Sequence, residues 1–373
     1  MVCRPRAYPA HPPQSASALC LYNPGMPQLD LLLPFSFPSP ELAADLLRAL
    51  RLPSLSLLAA RGAAGPLQAS EDFSHALPHE TWLARRFGLQ AGLEQGGSPP
   101  VAPAAMAAAG LEADAGQWFL LQPAHLHVAR DHLVLTDRRQ LSLEEAESRA
   151  LFDSASPLFE EAGMPLRYGD ERTWFLRSDD WRGLKTATMD AACGRNIDIW
   201  MPKGAGERAW RKLQNEVQME WHAHPVNEAR AERGAHPVNS VWLWGGGQAG
   251  GALPQPVYSH VWSSGWLQPL AGGAAGDMPA DVAGLLAATP ERGLLLLDDL
   301  SAPALAGDWS SWLDAFHAIE AGWLAPLLEG LRTGRLGSLK IVLGDGNRLR
   351  EIDVSRLALK KFWLQPSLAR LVP

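Results

Sequence analysis

One stretch, residues 222–247 (HAHPVNEARAERGAHPVNSVWLWGGG), sets the strictest limits on how this chain can fold. Pro225 stands where a first helical turn tolerates proline, and Gly234 where a left-handed C-terminal cap needs glycine, so 225–234 reads as a short helix. Residues 238–244 alternate their side chains and run into three glycines, which reads as a strand entering a tight loop. Asn227 and Arg230 then share one helical face and Asn239 sits at the mouth of the strand. Backbone at Gly245, Gly246 and Gly247 can approach a ligand closely. A guanidinium fork, two carboxamides and glycine amides suit a phosphate or carboxylate. The same residues also read as turn caps, with Arg230 paired to Glu228 or Glu232 in solvent.

Asn227, Arg230, Gly234, Pro237, Asn239 and the W-L-W-G-G-G of 242–247 resemble the N-x-x-R-x-x-x-G-x-x-P-x-N-x-x-W-L-W-G-x-G signature of archaeal-type, cofactor-independent phosphoglycerate mutases. The segment 184–194, LKTATMDAACG, resembles what precedes that signature in those enzymes. From about Met26 the chain more broadly resembles bacterial RpfE-type regulatory proteins, through Gln122-Pro-Ala-His-Leu126, Trp174-Phe-Leu176 and Asn215-Glu-Val-Gln-Met219. The mutase resemblance spans the middle third, the regulatory one nearly everything. It implies an α/β fold of mixed sheet layers with flanking helices, partly like a degenerate alkaline-phosphatase fold. It also implies a ligand site at Asn227, Arg230 and Asn239, with His224, Trp242, Trp244, Gly245 and Gly246 around it. Lys185 and Thr186 offer further donors to an oxyanion, although an ordinary polar loop explains 179–205 as well.

Mutases of that family phosphorylate a serine between two divalent metals, whose ligands come from an early Asp-Gly segment and late Asp-His elements. Here the first strand leads into Pro34-Phe35-Ser36, and the last hundred residues hold one histidine, His317. The resemblance therefore implies a protein without metal cofactors that binds a small phosphorylated or carboxylated metabolite. The alternative is a divergent mutase or phosphohydrolase drawing two metals onto His125, Asp298, Asp299 and Asp345. His125, His127 and His132, with Asp131 and Asp137, also invite a metal reading, but the set is incomplete. A third reading is a protein-interaction module, its Trp-rich face formed by Trp309, Trp312, Phe316, Ile319 and Trp323 at helical spacing; the same spacing suits a core face.

A net charge of -7 speaks against non-specific nucleic-acid binding, and no apolar run nears the ~20 residues that span a bilayer. No membrane partner is expected. Cys3, Cys20 and Cys193 form neither a metal spacing nor a disulfide framework, which fits a reducing cytoplasm. Residues 1–25 are proline-rich without a continuous apolar core, so a disordered tail ahead of a misassigned start is expected.

Downstream, the patterns predict a strand at 29–35, a helix from Ser39-Pro40-Glu41 to about Arg51, a strand at 55–59 and a helix at 80–88. A loose connector covers 92–110, and strands cover 117–122, 132–136 and 174–177. A capping box at Ser142 and Glu145 opens a helix over 144–162. The division falls into regions 26–165 and 166–373. Trp210, Leu213, Val217 and Trp221 mark an amphipathic helix at 207–222. Beyond the glycines come a strand at 257–262, a helix at 281–288 and a strand at 293–297 whose Asp298-Asp299 caps the next helix. A hairpin turns at 344–347 and a helical tail follows it.

Overall fold

The computed structural model describes residues 26–372, apart from 91, 92, 94, 95, 252, 253, 264–267 and 289. The expected disordered tail lies outside the described residues. The strands are β1 Gln28–Leu33, β2 Ala63–Ala64, β3 Gln68–Ala69, β4 Gln117–Ala124, β5 Leu126–Ala129, β6 His132–Leu135, β7 Leu166–Asp170, β8 Thr173–Arg177, β9 Ser240–Gln248, β10 His260–Trp262, β11 Ala275–Gly276, β12 Arg292–Leu296, β13 Ser338–Gly344 and β14 Arg348–Ser355.

β1 is the axis of the large sheet, whose order is β11-β10-β12-β1-β13-β14-β2, with β3 also on β14. It runs parallel to β12 and β13, with Leu31 opposite both Leu295 and Ile341. A parallel strand covered on both faces needs side chains that are apolar in both directions, which is why LDLLL lacks alternation. The one acid in it, Asp30, is buried and accepts hydrogen bonds from Tyr258 Oη at 2.8 Å and Arg292 Nη2 at 3.3 Å. β14 returns antiparallel to β13 through a turn that Asp345 organises, taking the amides of Asn347 and Arg348. A second, antiparallel sheet has the order β7-β8-β4-β9, and β5 pairs with β6 as a separate hairpin. The fold is thus mixed α/β. The large sheet draws strands from both sides of the boundary expected at 165/166, since β1 lies between β12 and β13.

Four expectations change. Residues 55–59 belong to the helix Pro53–Arg61, with Pro53 in its first turn. A short apolar run has no decisive period, and here Ser54 and Leu55 donate their amides to the buried Glu320 carboxylate, at 2.6 and 3.2 Å. The capping carboxylate of the helix Glu145–Glu161 is Glu147, which takes the Glu144 amide at 3.1 Å; Ser142 lies outside the helix at φ 43°. Gly245, Gly246 and Gly247 lie inside β9 rather than in a loop. Past β14 the chain forms only the short turns Ala358–Lys360 and Ala369–Leu371, not a helical tail.

The aromatic stripe is mostly core. Trp312 is fully buried in the helix Trp309–Ile319 and donates to Phe35 O at 2.8 Å, while Trp309 and Trp323 pack half-buried against the same core. Of the three tryptophans whose full burial would count against an interaction module, only Trp312 is fully buried.

Candidate functional site

The three side chains at the centre of the sequence argument are tied to backbone. Asn227 donates to Trp221 O at 2.9 Å and Val238 O at 2.8 Å and accepts from Val238 N at 2.8 Å, locking the helix Pro225–Glu232 to the segment leading into β9. Asn239 does the same to Leu126, accepting from its amide and donating to its carbonyl at 2.8 Å each. Arg230 is wholly buried; Nε donates to His236 O at 2.8 Å, Nη1 to Glu147 at 2.7 Å and Nη2 to Leu141 O. Expected to face a common ligand cavity, Asn227 and Arg230 instead latch the helix to its surroundings, and Asn239 ties the start of β9 to β5.

Their neighbours follow suit. His224 caps the helix by accepting the Val226 amide at 3.2 Å. Trp242 Nε1 donates to Ala187 O, and Gly245 N to Ser98 Oγ. A β-carbon on Gly246 would land on the Phe119 ring, so this glycine serves packing inside the sheet rather than approach to a ligand. Thr186 Oγ1 is buried 2.9 Å from Ser98 Oγ, and Lys185 pairs its backbone with Lys203. Of the ten expected site residues only Trp244 lines either of the two cavities described next.

That cavity, about 1010 Å³, lies against β4, β7 and β8 and is walled by the helix Ala102–Ala108 and by Pro254, Pro256 and Leu270. Its polar residues include Glu80, Gln122, Arg138 and Asp190. A second pocket of about 180 Å³ adjoins it, sharing Gln122, Arg138, Glu171, Arg172 and Met189 and adding Arg139 and Ser142. Gln122 is held on β4 by Trp244 Nε1, which donates to its carbonyl oxygen at 2.7 Å. Arg138 and Arg139 form a tight turn after β6, capped by Asp137 through the Arg139 amide at 2.9 Å.

Arg139 is fully used. It meets Asp137 at 3.0 Å, Asp190 at 3.1 Å and Asp298 at 3.0 Å. Arg138 differs: its nearest carboxylate is Asp190 at 3.6 Å, and its guanidinium makes no hydrogen bond among the described residues. Burial opposes the charge on Asp190, but Arg138 and Arg139 outweigh it and hold the carboxyl below its usual range.

Glu80 behaves in the opposite way. It is buried in the helix Pro78–Arg86, and Oε2 accepts from the Leu77 amide and from Thr188 Oγ1, each at 2.7 Å. Burial, then the nearby Asp190 charge, push its pKa up to about 8. Beside it, burial lowers His79 to about 4. Cys193 is pushed up to about 12, chiefly by burial, which makes it a poor nucleophile.

The four candidate ligands, His125, Asp298, Asp299 and Asp345, are taken up by other contacts or left in solvent. Asp298 faces Arg139 and accepts from Ser301 Oγ at the start of the next helix, Asp299 is exposed, and Asp345 is spent on its turn and on Arg348 at 3.0 Å. His125 stacks between His127 and His236, centroids 6.0 and 4.9 Å away, an arrangement that turns faces rather than lone pairs together. Among the described residues no three His, Cys, Asp or Glu side chains are placed to hold one ion.

Sequence reasoning passed over Glu80, Arg138 and Asp190. The signal available was the pair Arg138-Arg139 directly after a strand and beside Asp137.

No protein-family model matches the chain, and no curated protein does. Its structure is similar to that of a cofactor-independent phosphoglycerate mutase from Thermoplasma acidophilum DSM 1728, at 15% identity over 93% of this chain and 94% of that one, with a TM-score of 0.46. It is also similar to the PH0037 protein from Pyrococcus horikoshii, at 14% identity over 89% of this chain and 88% of that one, again with a TM-score of 0.46.

Proposed function

We propose that this chain is a regulatory or sensor protein that binds a small phosphorylated or carboxylated metabolite in the 180 Å³ pocket, with Arg138 as the main anchor. The carrying observation is the contrast between neighbours: Arg139 has three carboxylate partners, whereas Arg138 has one distant partner and lines both cavities. Arg138, Arg139 and Arg172 line the pocket; Arg139 is taken up by its three carboxylates and Arg172 lies 3.4 Å from Glu171, which leaves Arg138 the most available of the three. Gln122 and Ser142 add neutral donors. A charge-assisted hydrogen bond to such an anion is worth about 1.5–3 kcal/mol, enough for one arginine to decide affinity. The regulatory half of the reading draws its support from the resemblance to RpfE-type proteins.

Calorimetric titration with phosphoglycerates, phosphosugars and matching carboxylates tests it. At least one compound is expected to bind the wild type and to lose about tenfold or more in affinity with Arg138→Ala. Heat from none of the panel would overturn the reading.

One observation favours an enzyme instead. Glu80 Oε1 carries no hydrogen bond among the described residues, and the residue lines the large cavity, where a protonated carboxyl can serve as a general acid. Phosphatase and mutase assays, with Glu80→Gln as the control, separate the two readings: turnover lost in that variant supports the enzyme.

A further inference from the structure

The last stretch of the chain has a composition unlike the rest. Residues 355–373 hold four cations, Arg356, Lys360, Lys361 and Arg370, and no acid, in a chain whose net charge is -7. Among the described residues none of the four meets a carboxylate within ion-pair distance. What they touch is backbone: Lys361 Nζ donates to Arg61 O at 3.3 Å, and Arg370 Nη1 to Gly62 O at 2.9 Å. Arg61 in turn donates to Leu359 O at 2.6 Å, and Ser367 N to Ser56 O at 3.2 Å. These bonds pin the stretch to the helix Pro53–Arg61 at several points.

Between the pins, apolar side chains stand in water. Phe362 is 77% exposed, Trp363 64% and Leu357 57%, and the two rings touch only edge to face, centroids 5.4 Å apart. Large apolar groups in solvent need a reason, and here they share one turn with two lysines that meet no carboxylate among the described residues. We propose that the turn around Lys360, Lys361, Phe362 and Trp363 docks on an anionic lipid surface, the rings entering the headgroup layer while the lysines meet lipid phosphates.

The charge on the stretch matches that surface, and aromatic rings with adjacent lysines are the pair that the membrane interface favours. A partner protein would need a pocket for two rings that point outward on a short turn, whereas a headgroup layer adapts to them. The contact is peripheral: among the described residues no helix is long and apolar enough to cross a membrane. It therefore bears on the sequence-based expectation of no membrane partner without requiring a span.

Co-sedimentation of the full chain with vesicles tests this. The wild type is expected to pellet with vesicles of phosphatidylcholine and phosphatidylglycerol, to stay in solution with phosphatidylcholine alone, and to release as salt rises. Lys360→Glu with Lys361→Glu, and separately Phe362→Ser with Trp363→Ser, should each cut binding about tenfold. Lys360, Phe362 and Trp363 are exposed, so the ring variant should keep the wild-type circular dichroism and melting temperature. The lysine variant gives up the 3.3 Å bond from Lys361 to Arg61 O and should keep the circular dichroism with a small drop in melting temperature. A wild type that ignores anionic vesicles, or variants that pellet as it does, would overturn the proposal. So would retention on immobilised polyglutamate without vesicle binding, which would point to an acidic protein instead.

Discussion

Arg230, with none of its side chain exposed to solvent, meets the Glu147 carboxylate at 2.7 Å. The pair joins the helix Pro225–Glu232 to the first turn of the helix Glu145–Glu161, and Arg233 approaches the same carboxylate from outside. The most recognisable arginine in the sequence is therefore a fixture of the fold.

Removing it strands two carbonyls, empties a fully buried site and leaves the half-buried Glu147 carboxylate to Arg233 and the Glu144 amide. Arg230→Ala is expected to cost about 3–5 kcal/mol of stability in urea titration, the usual cost of breaking a buried pair from one side. A loss below about 1 kcal/mol would show that the latch is incidental.

Arg139 holds three carboxylates, one of which, Asp298, follows β12 of the large sheet. Arg139→Met leaves them to repel one another. Adding Asp298→Asn should then stabilise the protein, whereas in the wild type the same change destabilises it. This reversal of sign in a double-mutant cycle, of about 1 kcal/mol or more, is the expected signature of the cluster.

The buried Glu80 gives stability a pH dependence of known sign. Its folded pKa, about 8, lies above the unfolded value of 4.5, so the folded state binds more protons between them. Stability should fall as pH rises through that window, by at most about 1.4 kcal/mol per unit, and level off beyond it. His79, lowered to about 4 from 6.5, works in the other direction, costing stability as pH falls between those values. Glu80→Gln should flatten the fall above about pH 6.5 and, because the two windows overlap below it with opposite slopes, uncover the His79 loss on the acid side, which denaturant titrations from pH 5 to 9 would read.

Gly246 tests the packing role of the glycines. Its missing side chain makes room for Phe119 on the neighbouring strand β4. Gly246→Ala should cost about 1–3 kcal/mol from overpacking, without altering ligand affinity beyond what the lost stability explains. A stable variant with abolished binding would restore the ligand-approach reading.

Elements with a strong period were legible. Trp210, Leu213, Val217 and Trp221 are all buried in the helix Glu207–His222, as their spacing requires, and Gly234 takes the left-handed conformation expected of a helix cap, φ 72°. The short run at 55–59 misled because a buried strand and one face of a short helix look alike over five residues, and a distant carboxylate, Glu320, caps the helix that wins. The site was less legible for a related reason. Glu80 meets Thr188 across 108 residues of chain, and Arg139 meets Asp298 across 159, contacts without local periodicity to announce them. Asn227 and Arg230 were read correctly as sharing a helical face, but a face says nothing about whether cavity or backbone lies opposite.

The most direct test is a crystal structure with bound 3-phosphoglycerate, a small ligand that offers both a phosphate and a carboxylate. The anion should lie in the pocket between Arg138 and Arg172, with Asn227, Arg230 and Asn239 still bonded to backbone. Density for the ligand on those three residues, or a ligand that leaves Arg138 untouched, would contradict the account.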